Sequence, residues 1–212
     1  MCLQPYYDYF SHAIYRGGKK GGYARVPAPL EKTPVLIRGG SIVPTRERPR
    51  RSASLMRADP LTLTVALDKA GAARGELYLD AGDGYDHTRG AFVWRELTAF
   101  SANGVLRLRS ADLAGADPRS AVEGGALTAF DAGGNAYARE AAVVGVERVV
   151  VLGLERAPTT VRVINGAMKA APVEFAWTKG AGAGGTKTGA ASRLVIKAPP
   201  VGVVHDWVIE IA

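Results

Sequence analysis

From Leu61 onward the apolar residues of this chain recur with a period of two, and that spacing commits most of the chain to strands. Leu61, Leu63, Val65 and Leu67 share one face of an extended run, and Thr62, Thr64 and Ala66 share the other. Gly75, Leu77 and Leu79 then alternate with Glu76, Tyr78 and Asp80. Phe92, Trp94 and Phe100 share a parity in a third run, in which Arg95 is expected to point outward. Asn103-Gly104 supplies a hairpin signal before VLRLR. Together these predict a meander of about four strands over residues 61–110. Further strands are expected at 143–151, 160–164 and 192–197. A last one places Val203, His205, Trp207, Ile209 and Ile211 on one face, so His205 reads as a buried or interfacial histidine. No helix with a long amphipathic stripe and caps is visible, and an all-β fold follows.

The turns obey the same grammar. In VPAPLEKTPVLIRGGSIVP (26–44), Val35, Leu36 and Ile37 read as a buried strand. Gly39 and Gly40 form a turn, Ser41 to Val43 resume the strand, and Pro44 is expected to stop it. Asp68-Lys69-Ala70-Gly71 and Asn165-Gly166 read as turns, and GGKKGG (17–22) as an exposed one. GGKKGG lacks the Lys-Ser/Thr close of a phosphate-binding loop. Residues 111–139, rich in Ala, Gly and Asp, read as a loop excursion, and residues 180–191 as a flexible loop. Tyr6, Tyr7, Tyr9 and Phe10 read as residues able to anchor a strand or turn against a core.

Charge is unevenly placed. Residues 1–60 hold 11 Lys/Arg against 4 Asp/Glu, whereas residues 61–212 hold 16 of each, so the whole net charge of +7 lies in the first part. Arg46, Arg48, Arg50, Arg51 and Arg57 supply much of it. The cluster lacks the interleaved aromatics of a single-strand binder and any helix-turn-helix or zinc-finger spacing. A solvated loop facing an acidic surface is favoured over a nucleic-acid site. No apolar run approaches the length a membrane helix needs. Cys2, the single cysteine, has no partner for a disulfide.

Chemistry-bearing residues are few. DAGDGYD (80–86) brings Asp80, Asp83 and Asp86 within seven positions. Read as an EF-hand loop it would place Gly82, Gly84 and Ala91 where oxygen ligands belong, so the match fails. A structural turn whose carboxylates accept backbone N–H groups is favoured over a metal loop or a pair of glycosidase carboxyls. His12, His87 and His205 form no HExxH pattern, and His87 reads as a solvent-facing turn residue. Ser41 and Ser54 have no nucleophile elbow. Trp94 and Trp207 are expected on apolar strand faces. No residue is assigned a catalytic, cofactor-binding or metal role, and no cofactor is expected.

Five segments carry a resemblance: YYDYF (6–10), VPAPLEKTPVLIRGGSIVP (26–44), RRSASLMRADPLTLTVAL (50–67), GELYLDAGDGYDHTRGAFVWRELTAF (75–100) and ERVVVLGL (147–154). Together they make the chain similar to the C-terminal end of glycoside hydrolase family 31 α-glucosidases, in the branch that works in the endoplasmic reticulum. The resemblance covers residues 6–212, firmly to 110. It implies the end of a proximal β-domain (1–48), a basic linker (49–60) and a distal antiparallel β-sandwich (61–212). It implies that the catalytic (β/α)₈ barrel, with both catalytic aspartates, lies upstream and outside this chain. Asp80, Asp83 and Asp86 match a family turn and not the catalytic pair. The chain departs from the family at Tyr6, where tryptophan is usual, and at MCLQP (1–5), which has no family counterpart. The implied parent is a retaining α-glucosidase that trims glucose from N-glycans, paired with a non-catalytic β subunit. Carbohydrate would be met only through that parent, and neither nucleic acid nor membrane is expected as a partner. The alternative is a stand-alone carbohydrate-binding or protein-interaction β-sandwich, which an exposed set of coplanar Trp and Tyr side chains would favour.

Overall fold

A computed structural model of the chain describes residues 4–16, 25–113, 136–164, 171–181 and 188–212. In chain order the strands are β1 (Tyr6–Asp8), β2 (Ala13–Tyr15), β3 (Leu36–Arg38), β4 (Ser41–Thr45), β5 (Leu61–Ala66), β6 (Ala73–Asp80), β7 (Phe92–Ala102) and β8 (Val105–Asp112). A short helix, α1 (Ala136–Ala141), precedes β9 (Val146–Leu152), β10 (Val161–Ile164), β11 (Ala171–Pro172), β12 (Phe175–Thr178), β13 (Thr188–Ala190), β14 (Arg193–Lys197) and β15 (Trp207–Ile211). The all-β expectation holds, with two sheets, one of them curled into a half-barrel, and no (β/α)₈ barrel among the described residues. GGKKGG, Cys2 and Asn165-Gly166 lie outside the described residues, as does most of the 111–139 excursion and part of the 180–191 loop.

The small sheet has the order β13-β2-β1-β3. The large one runs β11-β10-β15-β8-β7-β6-β4-β5-β9-β14-β12 and is mostly antiparallel, with parallel pairing between β5 and β9 and at Ser41–Arg74 between β4 and β6. The two ends of this order belong to one short stretch of chain. Val173 donates its N–H to Val161 on the β10 side, while Glu174 accepts from Lys197 on the β14 side. A strand that changes partners in this way covers the β10 and β14 edges with a single stretch of chain.

The expected four-strand meander is only partly realised. β6, β7 and β8 are successive hairpin neighbours, but β4 lies between β5 and β6. The Asp68 turn therefore leads the chain over β4 rather than back along β5. The Asp68 carboxylate accepts N–H bonds from Ala70 and Ala72 at 2.8 and 2.9 Å, and Gly71 has φ +72°. At the β7–β8 hairpin, Asn103 and Gly104 have φ +54° and +80°, the left-handed pair that a tight primed turn requires.

The main core gathers Leu63, Val65, Leu97, Leu108, Val149, Val151, Leu194, Ile196 and Ile209 between the walls of the large sheet. A second core joins the sheets, with Tyr7, Ile14 and Ile37 packed on Ala66, Val150 and Leu152. β5 is consequently buried on both faces. Thr62 and Thr64, expected on an outer face, are buried as well, at 4% and 6% exposed. Alternation cannot register a sheet laid over the polar face.

Four other expectations are corrected. Only Ile37 of the Val35–Leu36–Ile37 run is buried, because β3 is an edge strand with a single covered face. Pro44 does not end β4; it lies within it, opposite Leu63. β6 pairs with β4 only at Ser41, so the missing proline N–H breaks no ladder there. In β7 the parity is reversed, with Val93, Arg95, Leu97 and Ala99 buried and Phe92, Trp94 and Phe100 on the outer side. His205 is exposed, just before β15 begins, while Trp207, Ile209 and Ile211 keep the buried face. α1 is only six residues long, too short to leave a helical period in the sequence.

The small sheet contains one buried carboxylate. Asp8 is 3% exposed, and burial alone would raise its pKa. The Ser11 N–H at 2.7 Å, the Ser11 hydroxyl at 2.8 Å, the nearby Lys32 charge and the Phe10 N–H at 3.1 Å outweigh that and hold it below the ordinary value. A folded pKa below the unfolded one stabilises the fold above about pH 3.9, and that contribution disappears as pH falls through the depressed value. Asp8→Asn is expected to cost about 1 kcal/mol at neutral pH and to flatten the acid limb of stability. Thermal melts of both proteins across that acid range test this, and parallel acid limbs would refute it.

Candidate functional site

The acidic turn links β6 to β7. Gly82, Gly84 and Gly90 have φ of +76°, +69° and +87°, and a 3₁₀ turn spans Asp86–Arg89. Asp80 accepts the Gly82 N–H at 2.9 Å, as a structural turn requires. Asp83 is highly exposed and has the Arg57 guanidinium 4.0 Å away. Asp86 is bound to Arg89. The three carboxylates therefore serve three different partners instead of converging. Among the described residues no group of three His, Cys, Asp or Glu side chains could hold a metal ion. His87 is exposed on the same turn, its ring 6.4 Å from that of Tyr85.

The arginine cluster meets acids of this same chain. Arg48 lies 2.8 Å from Glu147 on β9. Arg50 clasps Asp59 through two bonds of 2.9 and 2.6 Å, and that guanidinium holds the Asp59 carboxyl below the ordinary range. Arg57 reaches Glu140 of α1 at 3.3 Å and the Ala81 carbonyl in the acidic turn. Arg46 donates to the Arg57 carbonyl at 3.4 Å. The segment thus fastens α1, β9 and the acidic turn, and much of its charge is already matched.

A cavity of about 470 Å³ opens where the two sheets meet, lined among others by Tyr7, Ile14, Arg16, Asp68, Leu106 and Arg156. At its wall the Tyr7 hydroxyl donates to the Leu67 carbonyl at 2.7 Å, and burial pushes the phenol up to about 12. Gly153 faces this ring: a Cβ there would lie 2.2 Å from the Tyr7 oxygen.

Two arrangements escaped the sequence. Arg95 is 1% exposed, and its guanidinium donates to Asp206 at 2.5 Å, the His205 carbonyl at 2.8 Å and the Ser110 hydroxyl at 3.1 Å. An arginine among apolar residues is read as outward by default, and its acid stands 111 positions away. The second is the outer face of β6 and β7, where the reversed parity places Tyr78, Phe92 and Trp94 together. Trp207, by contrast, is buried as expected, with its Nε1–H donated to the Gly202 carbonyl at 3.0 Å.

No protein-family model matches the chain. Among curated proteins, glucosidase 2 subunit alpha of Schizosaccharomyces pombe is 44% identical over 107 residues, covering 50% of this chain and 11% of its own length. A probable glucan 1,3-alpha-glucosidase of Oryza sativa subsp. japonica is 31% identical over 212 residues, 98% of this chain and 19% of its own. The crystal structure of an ER glucosidase II heterodimeric complex, consisting of the catalytic subunit and the binding domain of the regulatory subunit, superposes with a TM-score of 0.76 at 32% identity. That match covers 99% of this chain and 20% of the other. The chain thus spans about a fifth or less of the length of the relatives it matches.

Proposed function

Because this chain belongs to the α-glucosidases of glycoside hydrolase family 31, together with the glucosidase II α subunits, we propose that it is the non-catalytic C-terminal β-domain part of such an enzyme. The observation that carries this reading is the match over 99% of this chain to only 20% of a catalytic subunit. In the proposed parent the retaining hydrolysis of α-glucosidic bonds belongs to an upstream barrel, and none of this chain's residues takes a catalytic part. The separate engagement of Asp80, Asp83 and Asp86 supports that division. The parent would trim glucose from N-glycans in the endoplasmic-reticulum lumen, with a non-catalytic β subunit as partner. Residues 1–48 would close a proximal domain, 49–60 form the linker and 61–212 the distal domain. Three of the four strands of the small sheet come from the first segment, and β4 carries the chain across to the large sheet.

Purified chain is expected to release no aglycone from an aryl α-glucoside above the buffer control. The family resemblance would place the barrel geometry and the paired carboxyls that such chemistry needs upstream of this chain. Turnover that survives purification and disappears in Asp80→Asn or Asp83→Asn would overturn the assignment and make the acidic turn an active site.

A further inference from the structure

Tyr78 stands directly opposite Trp94 in the β6–β7 register, and Asp80 opposite Phe92. The Tyr78 and Phe92 rings are stacked, with centroids 5.4 Å and planes 26° apart. Tyr78 is 47% exposed, and Phe92 and Trp94 are half-buried. The Trp94 Nε1–H donates to the Glu76 carboxylate at 3.1 Å, which holds the indole in place along the sheet. Glu96 stands opposite Glu76, and Arg74 lies 2.9 Å from Glu96 and 3.8 Å from Glu76. The result is a strip of three aromatic rings with carboxylates at both ends.

We propose that this strip is a binding site for a neutral oligosaccharide, with pyranose rings stacked on Tyr78 and Trp94 and their hydroxyls donating to Glu76 and Asp80. The surface is a sheet face, which suits a ligand with a flat face of its own. Aromatic rings present electron-rich faces to the C–H groups that line one side of a pyranose. Carboxylate oxygens accept several hydrogen bonds at once, so Glu76 keeps capacity beyond the indole bond and the Arg74 guanidinium 3.8 Å away, and Asp80 keeps capacity beyond the Gly82 N–H and the Tyr78 hydroxyl. The rim charge chooses among occupants. Glu76, Asp80 and Glu96 outnumber Arg74, which is the wrong sign for a phosphate backbone or an anionic lipid surface. The bond to Trp94 and the stack under Tyr78 fix the rings before binding, so little side-chain entropy is lost. The sugars are tested on this chain by itself, so their failure to bind would leave the reading of the chain as part of a glucosidase untouched.

The experiment titrates the purified full-length chain with maltotriose and with an α-1,3-linked glucose disaccharide. It follows the Trp94 indole N–H by nitrogen-15 correlation spectra, assigned through Trp94→Phe. A saturable shift in the millimolar range is expected. Tyr78→Ala, at an exposed position, should weaken binding roughly tenfold with an unchanged far-UV spectrum. Glu76→Gln should weaken it less, and it supplies the test should Tyr78→Ala misfold. Three results would each overturn the proposal: no saturable shift with either sugar, affinity unchanged in both variants, or a response only to a lysine-rich peptide that salt abolishes. The last would identify a surface for basic peptides instead.

Discussion

Gly75→Ala is expected to lower the stability of this chain by about 3 kcal/mol or more, at the upper end of what overpacking does. A Cβ at Gly75 would lie 2.1 Å from the Ile42 carbonyl oxygen and 2.9 Å from the Ile42 Cβ. The nearest of these atoms is backbone, so no rotamer change relieves the clash. Ile42 is itself 4% exposed and belongs to the main core. Relief would require β4 to move away from β6, and β4 joins β6 to β5 in the middle of the large sheet. A domain of this kind has only about 5–15 kcal/mol in hand, so the loss is a large fraction of the whole. Gly82→Ala is the control. Gly82 has φ +76° but nothing within 4 Å of the added Cβ, so only the backbone strain of about 1–2 kcal/mol applies. Urea denaturation of the two variants separates the effects, and equal losses would show that the close approach of β6 to β4 is not what Gly75 serves.

Arg95→Ala is the second large loss, expected at about 3 kcal/mol, the lower end of the range for breaking a buried ion pair. The guanidinium joins Ser110 on β8 to His205 and Asp206 ahead of β15, so three neighbouring strands lose a common anchor. Asp206 also accepts the Asp112 N–H at 3.2 Å, which spreads the effect to the end of β8. The lower figure is chosen because the Asp206 side chain is 37% exposed and water can hydrate it once the arginine is gone. Removing the charge from both sides should cost less than the sum of the single changes. In a double-mutant cycle of Arg95→Met and Asp206→Asn, a coupling of about 1 kcal/mol or more is expected. Strict additivity in denaturant melts would mean that the pair does not stabilise the fold.

Most strands were legible because one of their faces is wet. The turns at Gly39-Gly40, Asp68 and Asn103-Gly104 were legible as well, since left-handed backbone and local carboxylate bonds demand those residue types at those places. The acidic turn read correctly for the same reason: Asp80 satisfies a backbone N–H two residues away. β7 was misread because Phe92, Trp94 and Phe100 look like a core face when Arg95 is assumed to be solvated. The expectation that Trp94 lies on an apolar strand face fell with it, and the aromatic strip took its place. Had the sequence placed Asp206 beside Arg95, the ion pair would have been visible in advance.

Local composition by itself determined that the chain is built of strands, where its tight turns fall, and which family it resembles. Those properties depend on backbone preferences and on side-chain alternation within a few residues. The tertiary structure alone decided the rest: that β4 enters between β5 and β6, that β5 is covered on both faces, that residues 171–178 hold both ends of the large sheet, and that Arg95 is buried. Each of these depends on contacts between residues far apart in the chain. Alternation tells which residues share a face, but not whether water, a second sheet or an ion pair lies against it.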